Sequence, residues 1–294
     1  MTESQSYYVP PQSKWPIIGA VALFLIATGA ASTIHDMQNP EGGNGKWLLT
    51  AGLTVLLIFL VGWFRDMINE SLAGKNSIQV GNSYRKGMVW FIGSEVMFFA
   101  ALFGALFYAR ELSVPWLAGA SNNYMTHEIL HPDFIPSWPL THTPDPSKYG
   151  PFNALSPWGL PFLNTILLIS SSISVTWAHH ALLDGNRKKL IAGLAITVAL
   201  GATFLFFQAT EYKEAYEHLG LTLHSGIFGS TFFILTGFHG LHVTLGTIML
   251  ITMLIRSIKG HFTVDNHFAF EATSWYWHFV DVVWVGLFIF VYIL

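Results

Sequence analysis

The 294-residue chain is 52% hydrophobic and only 11% charged, with a mean hydropathy of +0.47, where soluble domains carry roughly a quarter charged residues, so its apolar excess has to be buried in lipid. A formal net charge of −3, with no long basic cluster, excludes a nucleic-acid footprint and a polybasic lipid anchor. With no cysteine, disulfides, iron–sulfur clusters and thiolate-bound zinc or copper are excluded, and any redox centre would rest on the 13 histidines.

The polar segment Met1–Lys14, with Pro10 and Pro11, reads as a short exposed tail rather than a cleaved signal peptide, the first span serving as its own insertion signal. Apolar runs of about 18 or more residues, enough to cross a hydrocarbon core of roughly 30 Å, follow in sequence. They predict an all-α polytopic membrane protein with seven transmembrane helices at Trp15–Thr33, Trp47–Phe64, Gly87–Tyr108, Leu160–Ala178, Leu190–Thr210, Ile227–Ile255 and Phe268–Leu294. The ten-residue alternation of a membrane β-barrel is absent from the sequence.

Ten of the 14 Lys and Arg residues fall in the tail and alternate connections: Lys14; Arg65, Lys75, Arg85 and Lys86; Arg187, Lys188 and Lys189; Arg256 and Lys259. The other side holds Lys46, Arg110, Lys148 and Lys213. Positive charge is retained on the cytoplasmic or matrix side, so the N-terminus is expected there and Leu294, after an odd number of spans, opposite. The connection Glu111–Gly159 holds 8 of the 13 prolines and no sustained helical period, and is expected to be an irregular outer-face loop. No internal repeat is present, which argues against a transporter of inverted halves. Gly93 and Gly104 in the third span, with Gly237, Gly240 and Gly246 in the sixth, offer close helix approach.

Ionisable groups inside spans carry the most information, since a charge at the bilayer centre costs roughly 2.5–3.5 kcal/mol on insertion scales. Glu95 lies on the order of 12 Å below the cytoplasmic surface at 1.5 Å per residue, so it is either protonated or paired. His278 and Asp281, spaced i and i+3, share a helical face, and His278 reaches about the depth of Glu95, so a Glu95–His278 contact is expected. His239 and His242, also i and i+3, could ligate a metal or haem with ligands from another helix. Two other readings stand beside ligation: a buried polar network that fixes helix register and docks a neighbouring subunit, and a proton relay. His179 and His180, ahead of Asp184 and the basic run Arg187–Lys189, read as headgroup-level residues. Trp63, Arg65, Asp66 and Glu70 suit a lipid phosphate or a partner loop, or an ordinary aromatic belt with a snorkelling arginine. No P-loop, nucleophile elbow, HExxH pair or dinucleotide fingerprint occurs.

Longer strings narrow the choice. Trp63-Phe64-Arg65-Asp66 with Glu70, Phe91-Ile92-Gly93-Ser94-Glu95-Val96-Met97-Phe98-Phe99, Thr176-Trp177-Ala178-His179-His180 and Gln208-Ala209-Thr210-Glu211-Tyr212 are four of them. Thr236-Gly237-Phe238-His239-Gly240-Leu241-His242 and Trp275-Tyr276-Trp277-His278-Phe279-Val280-Asp281 continue the series. Taken in order over essentially the whole chain, they resemble subunit III of the cytochrome c oxidase family.

The resemblance implies a two-helix bundle at 15–64, a cytoplasmic linker at 65–86 and a five-helix bundle at 87–294, with a lipid-filled cleft between the bundles. It implies a core subunit of an aa3-type haem–copper oxidase that reduces O2 to water and pumps protons, with cytochrome c as donor. This chain would bind no haem, copper or other metal; haem a, haem a3 and copper belong to partner subunits, with subunit I in direct contact and subunit II in the same complex. Lipid-contact candidates carried over are Trp63, Arg65, Glu70, Arg256 and Lys259, and Glu95 matches the family's intramembrane carboxylate, near which rapid proton uptake is sustained. The intramembrane polar residues are Glu95, His239, His242, His278 and Asp281. The loop at 111–159 is longer than in animal mitochondrial members, which favours a bacterial plasma (inner) membrane. A quinol oxidase subunit of the same superfamily is the alternative, against which the two N-terminal spans argue; a haem-bearing enzyme or transporter built on His239, His242 and His278 is the third reading.

Overall fold

The computed structural model describes residues 12–38, 43–75, 77–145, 149 and 151–294. Most of the expected tail, Pro10 and Pro11 included, and Lys148 of the long loop lie outside the described residues. The helices are α1 Trp15–Gln38, α2 Gly45–Leu72, α3 Ile78–Phe107, a short α4 Val114–Leu117, α5 Leu160–Leu183, α6 Arg187–Glu217, α7 Gly226–Lys259 and α8 Phe268–Leu287. A π-helical turn, Tyr108–Ser113, joins α3 to α4 without a break, and another, Phe288–Ile293, extends α8. Among the described residues seven helices are long and apolar enough to cross a membrane, and the chain is an all-α polytopic membrane protein.

Several helices overrun the apolar runs, α2, α6 and α7 at both ends and α1 and α5 at the C-terminal end, whereas α8 starts at Phe268 as expected. The expected linker 65–86 is helical over Arg65–Leu72 and again from Ile78, leaving only a short turn around Gly74 (φ 67°). Hydropathy ends a span where charge begins, whereas the backbone ladder continues wherever residues tolerate helical dihedrals. Asn186 starts α6 by accepting the Lys189 N–H at 3.2 Å, and Gly260, at φ 77°, stops α7 in the left-handed conformation only glycine adopts freely. The loop expected at 111–159 is helical at its start, through Leu117, and has a π-helical turn at Thr126–Leu130. Its prolines exclude longer helices, yet it is packed: Phe134, Leu140 and Phe152 are buried, and Trp138 and Phe152 lie 5.5 and 5.9 Å from Phe228 of α7.

The chain divides into two compact units, Met1–Tyr84 and Arg85–Leu294. In the first, α1 and α2 run antiparallel on glycine contacts. A Cβ at Gly29 would stand 2.4 Å from the Leu49 nitrogen, at Gly45 2.3 Å from that of Thr33 and at Gly52 2.7 Å from that of Ile26, so the backbones themselves touch. Without water to squeeze out, membrane helices associate through such close packing and through hydrogen bonds. One of these bonds closes the hairpin's end, where Trp15 Nε1 donates to Asp66 Oδ2 at 2.7 Å.

In the second unit α5–α8 form the core and α3 lies on it through Phe99 and Leu106. Trp277 is fully buried at its centre, its indole against Gly201 and Gly246 where a Cβ would come within 2.8 Å, and its Nε1 donates to Ser171 Oγ at 2.9 Å. Trp284 Nε1 donates to Thr165 Oγ1 at 2.9 Å, Ser174 bonds Thr197 at 2.7 Å and Tyr212 bonds Thr236 at 2.7 Å. Small hydroxyl residues thus tie α5 to α6 and to α8, and α6 to α7.

Candidate functional site

The polar residues sit on different faces of this bundle. Glu95, on α3, meets His242, on α7, with Oε2 and Nε2 3.0 Å apart. Its walls are aromatic: the rings of Phe99, Phe98 and Tyr276 lie 5.0, 6.2 and 6.3 Å from the imidazole. The side chains of His242 and Glu95 remain 11% and 22% exposed, so the pair is open at the bundle's edge.

His242 Nδ1 lies 2.7 Å from the Phe238 carbonyl, which can only accept, so Nδ1 donates there and Nε2 is the nitrogen turned to the Glu95 carboxyl.

The expected Glu95–His278 contact is not formed. His278 turns to α5, with Nδ1 2.6 Å from Ser172 Oγ and Nε2 3.3 Å from Thr176 Oγ1. Depth alone had matched the two residues, but at roughly 100° per residue His278 leaves the face of α8 that Tyr276 and Phe279 turn toward His242. Asp281, one turn beyond, buries Oδ1 without a hydrogen-bond partner.

His239 and His242 do not converge either. His239 is fully buried, its Nε2 donates to the Val280 carbonyl at 3.1 Å, and its ring packs 5.0 Å from Trp284 and 5.7 Å from Phe204. An i,i+3 pair shares a face only broadly, and the two rings here serve different neighbours.

Among the lipid candidates, Trp63 is exposed and stacks on Phe59 at 5.5 Å, Arg65 is exposed and Glu70 is half-buried. At the end of α7, Lys259 is exposed but Arg256 is buried, with its guanidinium 4.5 Å over the Phe262 ring. Arg187 donates to the carbonyls of Ser257 and Ile258 and so caps α7. Outside the spans, burial and then the charges of Arg256 and Lys259 hold the His261 imidazole below its ordinary value. His179 lies 5.8 Å from the His267 ring and 5.4 Å from Phe270.

Two pairs were not anticipated. Arg85 forks onto Glu271, with Nε and Nη2 at 3.0 and 2.8 Å from Oε2, joining α3 to α8. Glu211 of α6, wholly buried, accepts from the Tyr292 hydroxyl at the far end of α8. Glu211 lies one residue beyond the expected span end at Thr210 and Glu271 three residues inside the span that starts at Phe268, and neither was among the expected intramembrane polar residues.

A sequence model of the family described as cytochrome c oxidase subunit III matches residues 5–140 and 127–294. Proteins named cytochrome c oxidase subunit 3 are similar over 291 residues, 99% of this chain and 97% of each relative: 40% identical in Hippopotamus amphibius, 41% in Latimeria chalumnae and 40% in Squalus acanthias.

Proposed function

The chain belongs to the cytochrome c oxidase subunit III family, and on that footing we propose that it is the non-redox core subunit of a proton-pumping terminal oxidase. It is a membrane-embedded subunit of an oxidoreductase complex. In the proposed role it steadies the catalytic subunit I, holds structural phospholipids and sustains proton uptake, while haem a, haem a3 and copper reside in subunits I and II and cytochrome c supplies electrons.

The observation that carries this reading is the Glu95–His242 pair, a carboxyl and an imidazole 3.0 Å apart at the edge of the bundle inside the apolar spans. Both ring nitrogens of His242 are occupied, by Glu95 and the Phe238 carbonyl, which supports a polar role over haem ligation for that residue. Trp63, Arg65 and Glu70 in the C-terminal part of α2, and Arg256 and Lys259 in the last turn of α7, suit lipid phosphates. The Lys and Arg distribution supports an N-terminus on the cytoplasmic side and a C-terminus on the periplasmic side of a bacterial inner membrane.

The test compares the purified oxidase with and without this chain, and with Glu95→Gln, following O2 consumption and proton pumping through many turnovers in defined lipid. Normal initial O2 reduction that then slows and dies in the stripped enzyme is expected. Loss of haem, or of all initial activity, would overturn the reading.

A further inference from the structure

Glu211 belongs to a second polar group, at the end of the bundle where α6 and α8 finish and α5 and α7 begin. Twelve buried side-chain nitrogen and oxygen atoms among the described residues have no hydrogen-bond partner, and five of them are here: both amide atoms of Asn164, both of Gln208, and Glu211 Oε2. Asn164 and Glu211 are wholly buried and Gln208 is 6% exposed.

Their proximity follows from helix geometry. Glu211 and Gln208 are i and i+3 on one face of α6. The α5–α6 register, antiparallel, matches Ala178 to Gly193 and Ser174 to Thr197, and so carries Asn164 to the level of residues 207–208. Tyr292 closes the group by donating to Glu211 Oε1, while the Tyr212 hydroxyl on the same helix is taken by Thr236. Phe232, 5.5 Å from the Tyr292 ring, walls it off.

Two buried amides and a carboxyl at one level of the bundle, with the Tyr212 and Tyr292 hydroxyls near Gln208 but no hydrogen bond to Asn164 or to Glu211 Oε2, are costly in an apolar core, and lipid offers nothing further to satisfy them. One carboxylate with two amides is a poor cation site. Ordered water, making about three hydrogen bonds each, satisfies such groups. We propose that Asn164, Gln208 and Glu211 enclose a small internal water cluster between α5, α6 and α8, with Glu211 Oε2 as its anchor. This goes beyond the supporting role proposed above and does not depend on it.

The test is brief X-ray radiolysis of the intact oxidase in oxygen-18 water, with oxidised residues read by mass spectrometry and corrected for intrinsic reactivity. Tyr292 and Phe288 are similarly buried at the same end, 9% and 7% exposed. Water held at Glu211 makes Tyr292 oxidise several-fold faster than Phe288, and Gln208→Leu brings the two rates together. Equal rates in the unsubstituted enzyme overturn the proposal; so does a fast Tyr292 that Gln208→Leu leaves unchanged, which marks entry from bulk solvent. Should the Gln208→Leu complex fail to assemble, a high-resolution map of the unsubstituted oxidase decides: water density within hydrogen-bond reach of Glu211 Oε2 supports the cluster, and direct side-chain bonds there overturn it.

Discussion

Glu95 and His242, 147 positions apart in the sequence, meet across 3.0 Å while the Phe238 carbonyl occupies the other imidazole nitrogen. Removing either partner leaves a polar group facing aromatic rings. Glu95→Ala and His242→Ala should each destabilise the subunit, and the double change should cost less than the two together. Hydrogen bonds between membrane helices average about 0.6 and reach about 1.7 kcal/mol in double-mutant cycles. A cycle measured by detergent unfolding should give a coupling in that range; zero coupling would remove the pair from consideration.

Trp277 fills the space between Gly201 and Gly246. Trp277→Ala should cost on the order of 3–5 kcal/mol, as large aromatic truncations in packed cores do. Ser171→Ala, which strands the indole N–H, should cost about 1–3 kcal/mol. Thermal inactivation of the complex ranks the two, and the reverse order would contradict this packing.

Gly29→Val places methyl groups on the Leu49 backbone. The hairpin must open, at a cost of about 1–3 kcal/mol or more, and limited proteolysis should cut the 43–45 turn faster than in the parent chain.

Arg85 and Glu271 are 40% and 16% exposed at the side chain, so solvent screens their attraction. Arg85→Lys keeps the charge but loses the fork, and a loss of about 1 kcal/mol or less is expected, shrinking in high salt. A salt-independent loss would mean that packing on the Phe268 ring, whose centroid lies 5.6 Å from the guanidinium, rather than charge, holds Arg85.

Arg256 and Lys259 should part company. Lys259→Ala should lower phospholipid retained after delipidation and leave unfolding unchanged. Arg256→Ala, which also strips the face of Phe262, should lower both. Lipid phosphorus assay with melting of the same samples separates the cases.

The spans and their order were legible because lipid imposes a length and a composition on every crossing segment. Azimuth was not legible. Glu95 and His278 matched in depth, yet His242 took the carboxyl, since a helix can turn either of two nearby histidines toward a neighbour and only three-dimensional packing decides which. The burial of Glu211 was not legible for a related reason: an apolar run stops being countable at its first charge, although the helix and the core continue past it. The serines and threonines of α5 carried no signal beyond composition, because their value lies in which indole or imidazole stands opposite.

The α1–α2 joint is made by the absence of side chains. A seam of bare backbone consumes almost none of the surface that the hairpin's residues display, so Ile17, Phe24, Trp47, Leu57 and Val61 all remain uncovered within their own unit. Such a hairpin is a ribbon with two outward faces, and the identity of those residues is free to be dictated by whatever lies alongside. Replacing them should leave the ribbon intact while changing the company it keeps.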